Sequence, residues 1–157
     1  MRHPVKVMVW GIFSHHGAGR LHIVEGNMDR HQYLRVLQGR VRQQMQEWFS
    51  NNNGIFMQDK APCHTAKICS NYLSQQNFQV LDWPGNSPDL NPIENLWAII
   101  KSQLRQQNLL TKNELICAVI NSWSRDATLL PKLHSLIDSM PQRIQAVIKG
   151  KGGFTKY

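Results

Sequence analysis

The run Ile55-Phe56-Met57-Gln58 ends on an acid, Asp59, and meets Pro62 three residues later. A short apolar run closed in this way reads as a buried strand that delivers a carboxylate at its C-terminal end. A second acid follows on a different element. Pro88 to Glu94 reads as a turn entering a helix, and Ile93, Trp97, Ile100 and Leu104 follow at intervals of 4, 3 and 4 on one apolar face. Glu94 therefore falls in the first turn. Two acids brought by separate elements suit divalent-metal chemistry, because Mg²⁺ is usually held by one or two protein carboxylates with phosphate oxygens and water completing its shell. Spacing alone also allows a plainer role: with Asn91 as N-cap and Pro92 as the first helical residue, Glu94 stands third, where its carboxylate can close a capping box.

Three longer strings carry a resemblance. QDKAPCHTAK from Gln58, VLDWPGNSPDLNPIENLW from Val80 and MPQRIQAVIKGKGGFTKY from Met140 are similar to the corresponding segments of Tc/mariner-superfamily transposases, and 34 residues separate Asp59 from Glu94, the interval of the branch whose third acid is Glu. The resemblance covers nearly the whole chain. It implies an α/β fold of the RNase H-like (DDE transposase/integrase) type, a mixed sheet flanked by helices, spanning residues 1–157. It implies that Asp59 and Glu94 are catalytic residues and metal ligands for Mg²⁺, with Mn²⁺ as a substitute, in cleavage and transfer of DNA strands. The motif also retains a His at position 64, and His64 and Asn91 are candidates for supporting the site. DNA is the implied partner, a homodimer or a full-length transposase the implied assembly, and the nucleus the implied location.

The resemblance calls for three acids. In the family the first lies on a strand before the VMVWG segment, and six residues precede Val7 here. The expectation is a domain without that central strand and its Asp, inactive by itself, with two sheet edges left without their partner. Asp29 and Glu25 lie at or after the end of the hairpin, away from where the first acid is needed. The alternative function is a non-catalytic nucleic-acid-binding or transposase-interaction module, a domesticated or relic fragment.

Composition narrows the rest. A formal charge of +8 predicts attraction to polyanions, weakening with salt. No stretch approaches the ~20 apolar residues of a membrane span, so an intracellular protein without a membrane partner is expected. Cys63, Cys69 and Cys117 lack the close pairing of structural zinc sites and read as reduced thiols in packed positions.

In chain order, residues 5–25 read as an antiparallel hairpin whose His-His-Gly-Ala-Gly segment makes a loop longer than two residues. His15, His16 and His22 have no nearby acid or thiol to complete a ligand set. A helix is expected over 28–49, with Tyr33, Leu37, Val41, Met45 and Trp48 on one face. Thr65 to Gln75 reads as a helix capped by Thr65, and 78–83 as a strand parallel to the Asp59 strand, with Asp82 as supporting structure. The Glu94 helix spans 91–106. Thr111 and Glu114 form a second capping-box signature, opening helices over 111–150 with Leu115, Ile116, Val119, Ile120 and Trp123 as the first apolar set. The candidate nucleic-acid contacts are Arg35, Arg42, Lys60, Lys149 and Lys151, the last in a basic tail over 151–157.

Overall fold

Tyr33, Leu37, Val41 and Met45 recur at strict four-residue intervals, which an α-helix of 3.6 residues per turn cannot keep in line. Each step overshoots by about 40°, so three steps would swing Met45 about 120° away from Tyr33. Yet all four are at most 4% exposed. The computed structural model, which describes residues 5–85 and 88–152, shows why. Helices α1 (Arg30–Val36) and α2 (Arg42–Trp48) are joined without a break by a π-helical stretch, Leu37–Val41, in which the Arg42 N–H reaches back five residues to the Leu37 carbonyl. The wider π turn removes the drift. One continuous apolar face results.

Two compact units divide the chain. The first comprises Met8–Ile12 and Gly19–Ser87, and the four residues above form its centre with Ile12, Val36, Phe56, Cys69 and Leu73. Strands β1 (Met8–Ser14) and β2 (Gly17–Val24) pair across a two-residue connection, which only antiparallel strands allow. The expected longer loop is thus corrected: Gly17, Ala18 and Gly19 continue the strand. Packing explains Gly19, because a Cβ there would lie 2.5 Å from the Trp48 ring and 2.8 Å from Gln44 Oε1. The open space lets Gln44 Oε1 accept from the Arg20 N–H at 2.9 Å, while the Arg20 guanidinium grips Glu47 at 2.6 and 2.7 Å.

Strands β3 (Ile55–Phe56) and β4 (Gln79–Val80) are parallel, in register Ile55 with Gln79 and Phe56 with Val80. Among the described residues they form a sheet separate from β1–β2. Both are shorter than expected, and β3 stops three residues before Asp59. The helix expected from Thr65 is two: α3 (Pro62–Thr65) and α4 (Lys67–Ser74). Thr65 ends the first, its hydroxyl turned back on the carbonyls of Ala61 and Pro62 at 3.4 Å, and does not cap the second.

The second unit comprises Met1–Val7, Phe13–Ala18 and Pro88–Tyr157. A 3₁₀ turn, Pro88–Leu90, leads into α5 (Pro92–Arg105), followed by α6 (Lys112–Ser124), α7 (Leu129–Asp138) and α8 (Met140–Lys149). Trp97 on α5 stacks on Trp123 of α6 with centroids 5.1 Å apart. Gln103 donates to Asp126 at 2.9 Å. Leu96, Ile100, Val119, Trp123, Leu129 and Leu133 are buried, whereas Ile120, expected in the α6 apolar set, is 40% exposed. Pro131 sits third in α7 and Pro141 second in α8, positions where a missing N–H costs no helical bond. His15 is not merely solvated: its ring stacks on His134 at 4.0 Å and its Nε2 lies 3.5 Å from Asp138. Cys69 is buried as expected, but Cys117 is exposed. The tail beyond Gly152 and residues 86 and 87 of the rim loop lie outside the described residues.

Candidate active site

The last β3–β4 ladder bond runs from the Leu81 N–H to the Phe56 carbonyl at 2.8 Å, so Asp59 is held by its neighbours rather than by the sheet. Its Oδ1 accepts the Ala61 N–H at 3.0 Å and the His64 Nδ1–H at 2.5 Å. Pro62 at the first position of α3 fixes the turn that brings His64 back. The His64 bond, and after it the Ala61 amide, holds the Asp59 carboxyl below the usual carboxylate range, against the opposing effect of partial burial. Asp59 is therefore ionised at neutral pH. With both contacts on Oδ1, Oδ2 has no hydrogen-bond partner among the described residues and the side chain is 49% exposed.

His64 is itself fixed. Its ring lies against Tyr33, centroids 4.1 Å apart at 35°, and its side chain is only 16% exposed. Tyr33 is fully buried, its hydroxyl donates to Gln58 Oε1, and burial pushes its pKa well up. The sequence placed Tyr33 in the core and gave no sign of this second use. The signal is detectable only once α1 and the loop after β3 are packed together.

Glu94 is built differently. Asn91 caps α5, its Oδ1 accepting the Ile93 N–H at 3.3 Å, and Pro92 opens the helix. No capping box forms. The Asn91 N–H that Glu94 would need already donates to the Pro88 carbonyl at 3.0 Å. Glu94 is exposed, and among the described residues its carboxylate has no hydrogen-bond or ion-pair partner. The next residue is tied down, since Arg143 of α8, only 3% exposed, donates to Asn95 Oδ1 at 2.9 Å and to Ser139 Oγ at 2.7 Å.

The basic candidates separate. Arg35 is exposed on α1, and after burial its charge and that of Arg40 lower the pKa of His22 on β2. Arg42 lines a groove of about 280 Å³ with Phe49, Asn52, Gln76, Asn77 and Phe78. Lys60 lies 3.4 Å from Asp82, whose side chain is 99% exposed, so that acid forms a surface pair with little energetic weight. Lys149 ends α8 and Lys151 follows in a turn with φ of 50°.

Each acid taken by itself has the chemistry of a divalent-cation ligand. Asp59 offers an ionised carboxylate with one oxygen to spare and Glu94 a partnerless one, the hard oxygen donors that Mg²⁺ takes. Among the described residues no three His, Cys, Asp or Glu side chains cluster as a closed metal cage. No helix among them is long and apolar enough to cross a membrane.

Comparison with known proteins gives one answer. Residues 2–116 match the family model of the DDE superfamily endonucleases. The chain is 37% identical over 155 residues to the Tc1 transposase of Caenorhabditis elegans, covering 97% of itself and 55% of that protein. It is 35% identical to the Tcb1 transposase of Caenorhabditis briggsae over the same shares. It thus spans about half the length of these relatives. Among solved structures it superposes on the Mos1 transposase catalytic domain with raltegravir and Mg at a TM-score of 0.85, with 20% identity, covering 96% of this chain and 77% of that one. The Mos1 mariner paired end complex with Mn gives 0.85 at 19% identity, covering 99% and 48%. The fold is therefore the RNase H-like one that the resemblance implied. The chain belongs to the DDE superfamily endonucleases, as a transposase domain of Tc/mariner type.

Proposed function

We propose that this chain contributes two of the acids of a divalent-metal-dependent site that cleaves and transfers DNA strands, with Asp59 and Glu94 as ligands of Mg²⁺ or Mn²⁺. The observation that carries the proposal is the state of the two carboxylates: Asp59 is ionised with Oδ2 unused, and Glu94, at a position that normally caps a helix, is left without a partner. That Mos1 structures hold Mg and Mn supports the choice of ions. Bound there, a divalent cation polarises a phosphoryl oxygen and makes water a competent nucleophile at neutral pH.

The chain's own residues do the rest. The Ala61 amide and His64 keep the Asp59 carboxylate charged and aimed. Asn91 and Pro92 hold the first turn of α5 so that Glu94 projects from it. His64 and Asn91 act through these acids and are positioning residues. The charge of +8 draws a DNA backbone to the surface, with Arg35, Arg42, Lys149 and Lys151 as contacts, and Lys60 weaker because it already faces Asp82. A DNA substrate puts the site of action in the nucleus, and the Mos1 paired-end complexes support assembly on DNA with a second transposase copy. The family's first acid comes before these two in chain order, so the 157 residues by themselves, holding two of the three, are expected to be inactive.

Thermal unfolding with and without millimolar Mg²⁺ or Mn²⁺ tests the ligands, because metal bound only by the folded state raises the melting temperature by mass action. The rise is expected in the parent and not in Asp59→Ala or Glu94→Ala. A chain extended to include the family's first Asp strand is expected to nick DNA in Mg²⁺, and inactivity of that folded chain counts against the proposal. A second reading, a non-catalytic nucleic-acid-binding or transposase-interaction module, rests on the +8 charge together with the two-acid set. It predicts salt-sensitive DNA binding indifferent to metal and to Asp59→Ala.

A further inference from the structure

The β3–β4 ladder ends at Phe56, three residues before Asp59, so the direction of that carboxylate is set by the Ala61 amide and by side chains. Two of the contacts that set it lead to one residue. On the far side of Asp59, His64 donates to its Oδ1 and rests on the Tyr33 ring. On the near side, Gln58, the residue immediately before Asp59, receives the Tyr33 hydroxyl. Tyr33 is fully buried on α1, whose start is anchored by Asp29 accepting the amides of His31 and Gln32 at 2.8 and 2.7 Å.

We infer that Tyr33 is the positioning residue of the Asp59 site: its ring sets the plane of His64, its hydroxyl pins Gln58, and between them the loop presents Asp59 Oδ2 outward. The consequence for a cation rests on the reading of Asp59 as a ligand; the consequence for His64 does not. A buried tyrosine hydroxyl needs a hydrogen-bond partner, and here that partner is the residue next to Asp59 while the ring face meets the histidine bonded to Asp59. A leucine, shorter and without a ring or hydroxyl, would hold neither neighbour.

The test uses the metal-free 157-residue chain first. Long-range proton–nitrogen NMR of His64 reads which ring nitrogen carries hydrogen; in the parent, Nδ1 is protonated because it donates to a carboxylate. In Tyr33→Leu this signature is expected to relax toward the mixture of the two tautomers that a solvent-exposed histidine shows. Tyr33→Phe is expected to keep it, since the ring remains, while the Gln58 side-chain amide shifts. Titration with Mn²⁺ then gives a midpoint about tenfold weaker in Tyr33→Leu and a few-fold weaker in Tyr33→Phe, the scale on which residues behind a ligand act. Val41→Ala, also in the core but away from Asp59, serves as the control for destabilisation alone and leaves His64 and the Mn²⁺ midpoint unmoved.

A His64 signature unchanged in folded Tyr33→Leu overturns the inference. Should that variant not fold, an unmoved Gln58 amide in Tyr33→Phe overturns it equally. If the Tyr33 variants move His64 and Gln58 while Asp59→Asn leaves Mn²⁺ binding intact, the positioning role stands and the metal reading of Asp59 falls.

Discussion

Two helices of the second unit begin alike and end up doing different things with the same residue. Helix α5 opens Asn91-Pro92-Ile93-Glu94 and α6 opens Thr111-Lys112-Asn113-Glu114, each with an N-cap residue and a glutamate three positions on. At α6 the box closes: Thr111 Oγ1 accepts the Glu114 N–H at 3.2 Å, and Glu114 Oε2 accepts the amides of Leu110 and Thr111 at 2.8 and 2.9 Å. At α5 it stays open. The difference lies upstream, in the Pro88–Leu90 turn whose carbonyl has already taken the Asn91 N–H. A helix start can thus spend its glutamate on itself or leave it unpartnered, and here the preceding turn decides which.

The largest effect expected from this contrast is on metal response. A cation at a hundred times its Kd raises the stability of the folded chain by about 2.7 kcal/mol. Glu94→Gln is expected to remove that rise while leaving the metal-free melt where it was, and Glu114→Gln to do the reverse. Differential scanning calorimetry of the two variants with and without saturating Mn²⁺ reads both. Equal metal responses in the two would erase the distinction between the helix starts.

The same contrast shows how far sequence reading reaches. The two glutamates share a local pattern, and capping rules assign both to boxes; only the SPDLNPIENLW string and the family resemblance it carries pointed Glu94 elsewhere. The turn that frees it is written in Pro88, but its hydrogen bond to Asn91 depends on a chain path that periodicity does not encode. The four-residue spacing from Tyr33 to Met45 was visible and read as one helical face. It also contained the π turn, since an α-helix cannot keep that spacing aligned, and this went unread. The hairpin glycines were misread because glycine marks both turns and close approaches, and only the packed Trp48 distinguishes them. Tyr33 beneath His64 was not readable at all, because that contact joins residues 31 positions apart through no local rule.

Next in size is the worth of the closed box. Thr111→Ala removes the side-chain oxygen that receives the Glu114 amide, a loss of about 1 kcal/mol and so roughly 2–4 °C in Tm for a chain of this size. Asn91→Thr probes the open one. It writes the T-x-x-E signature at α5, yet the Asn91 amide remains committed to Pro88, so Glu94 has nothing to fold back onto. Stability is expected to move by a few tenths of a kcal/mol and the Mn²⁺ midpoint by less than twofold. A tenfold loss of metal affinity would mean that side-chain identity at the cap, and not the upstream turn, governs the glutamate.

The smallest effect is the pH dependence of the closed box, and its sign follows from the contacts. The Leu110 and Thr111 amides, with the Thr111 hydroxyl, hold the Glu114 carboxyl below the ordinary glutamate value of 4.5. A group whose folded pKa is depressed stabilises the fold above its unfolded pKa, and that stability is lost as pH falls through the folded value. Glu114 therefore contributes fully above about pH 4.5, and its contribution fades below. Because the carboxylate is exposed, solvent screens most of the effect, and it shows as a slope rather than a transition. Melts of the parent and Glu114→Gln between pH 7 and pH 3 are expected to differ most at the neutral end and to converge on the acid side. Convergence on raising the pH instead would place the stabilising contacts on the protonated acid, and the box would have to be redrawn with Glu114 as a donor.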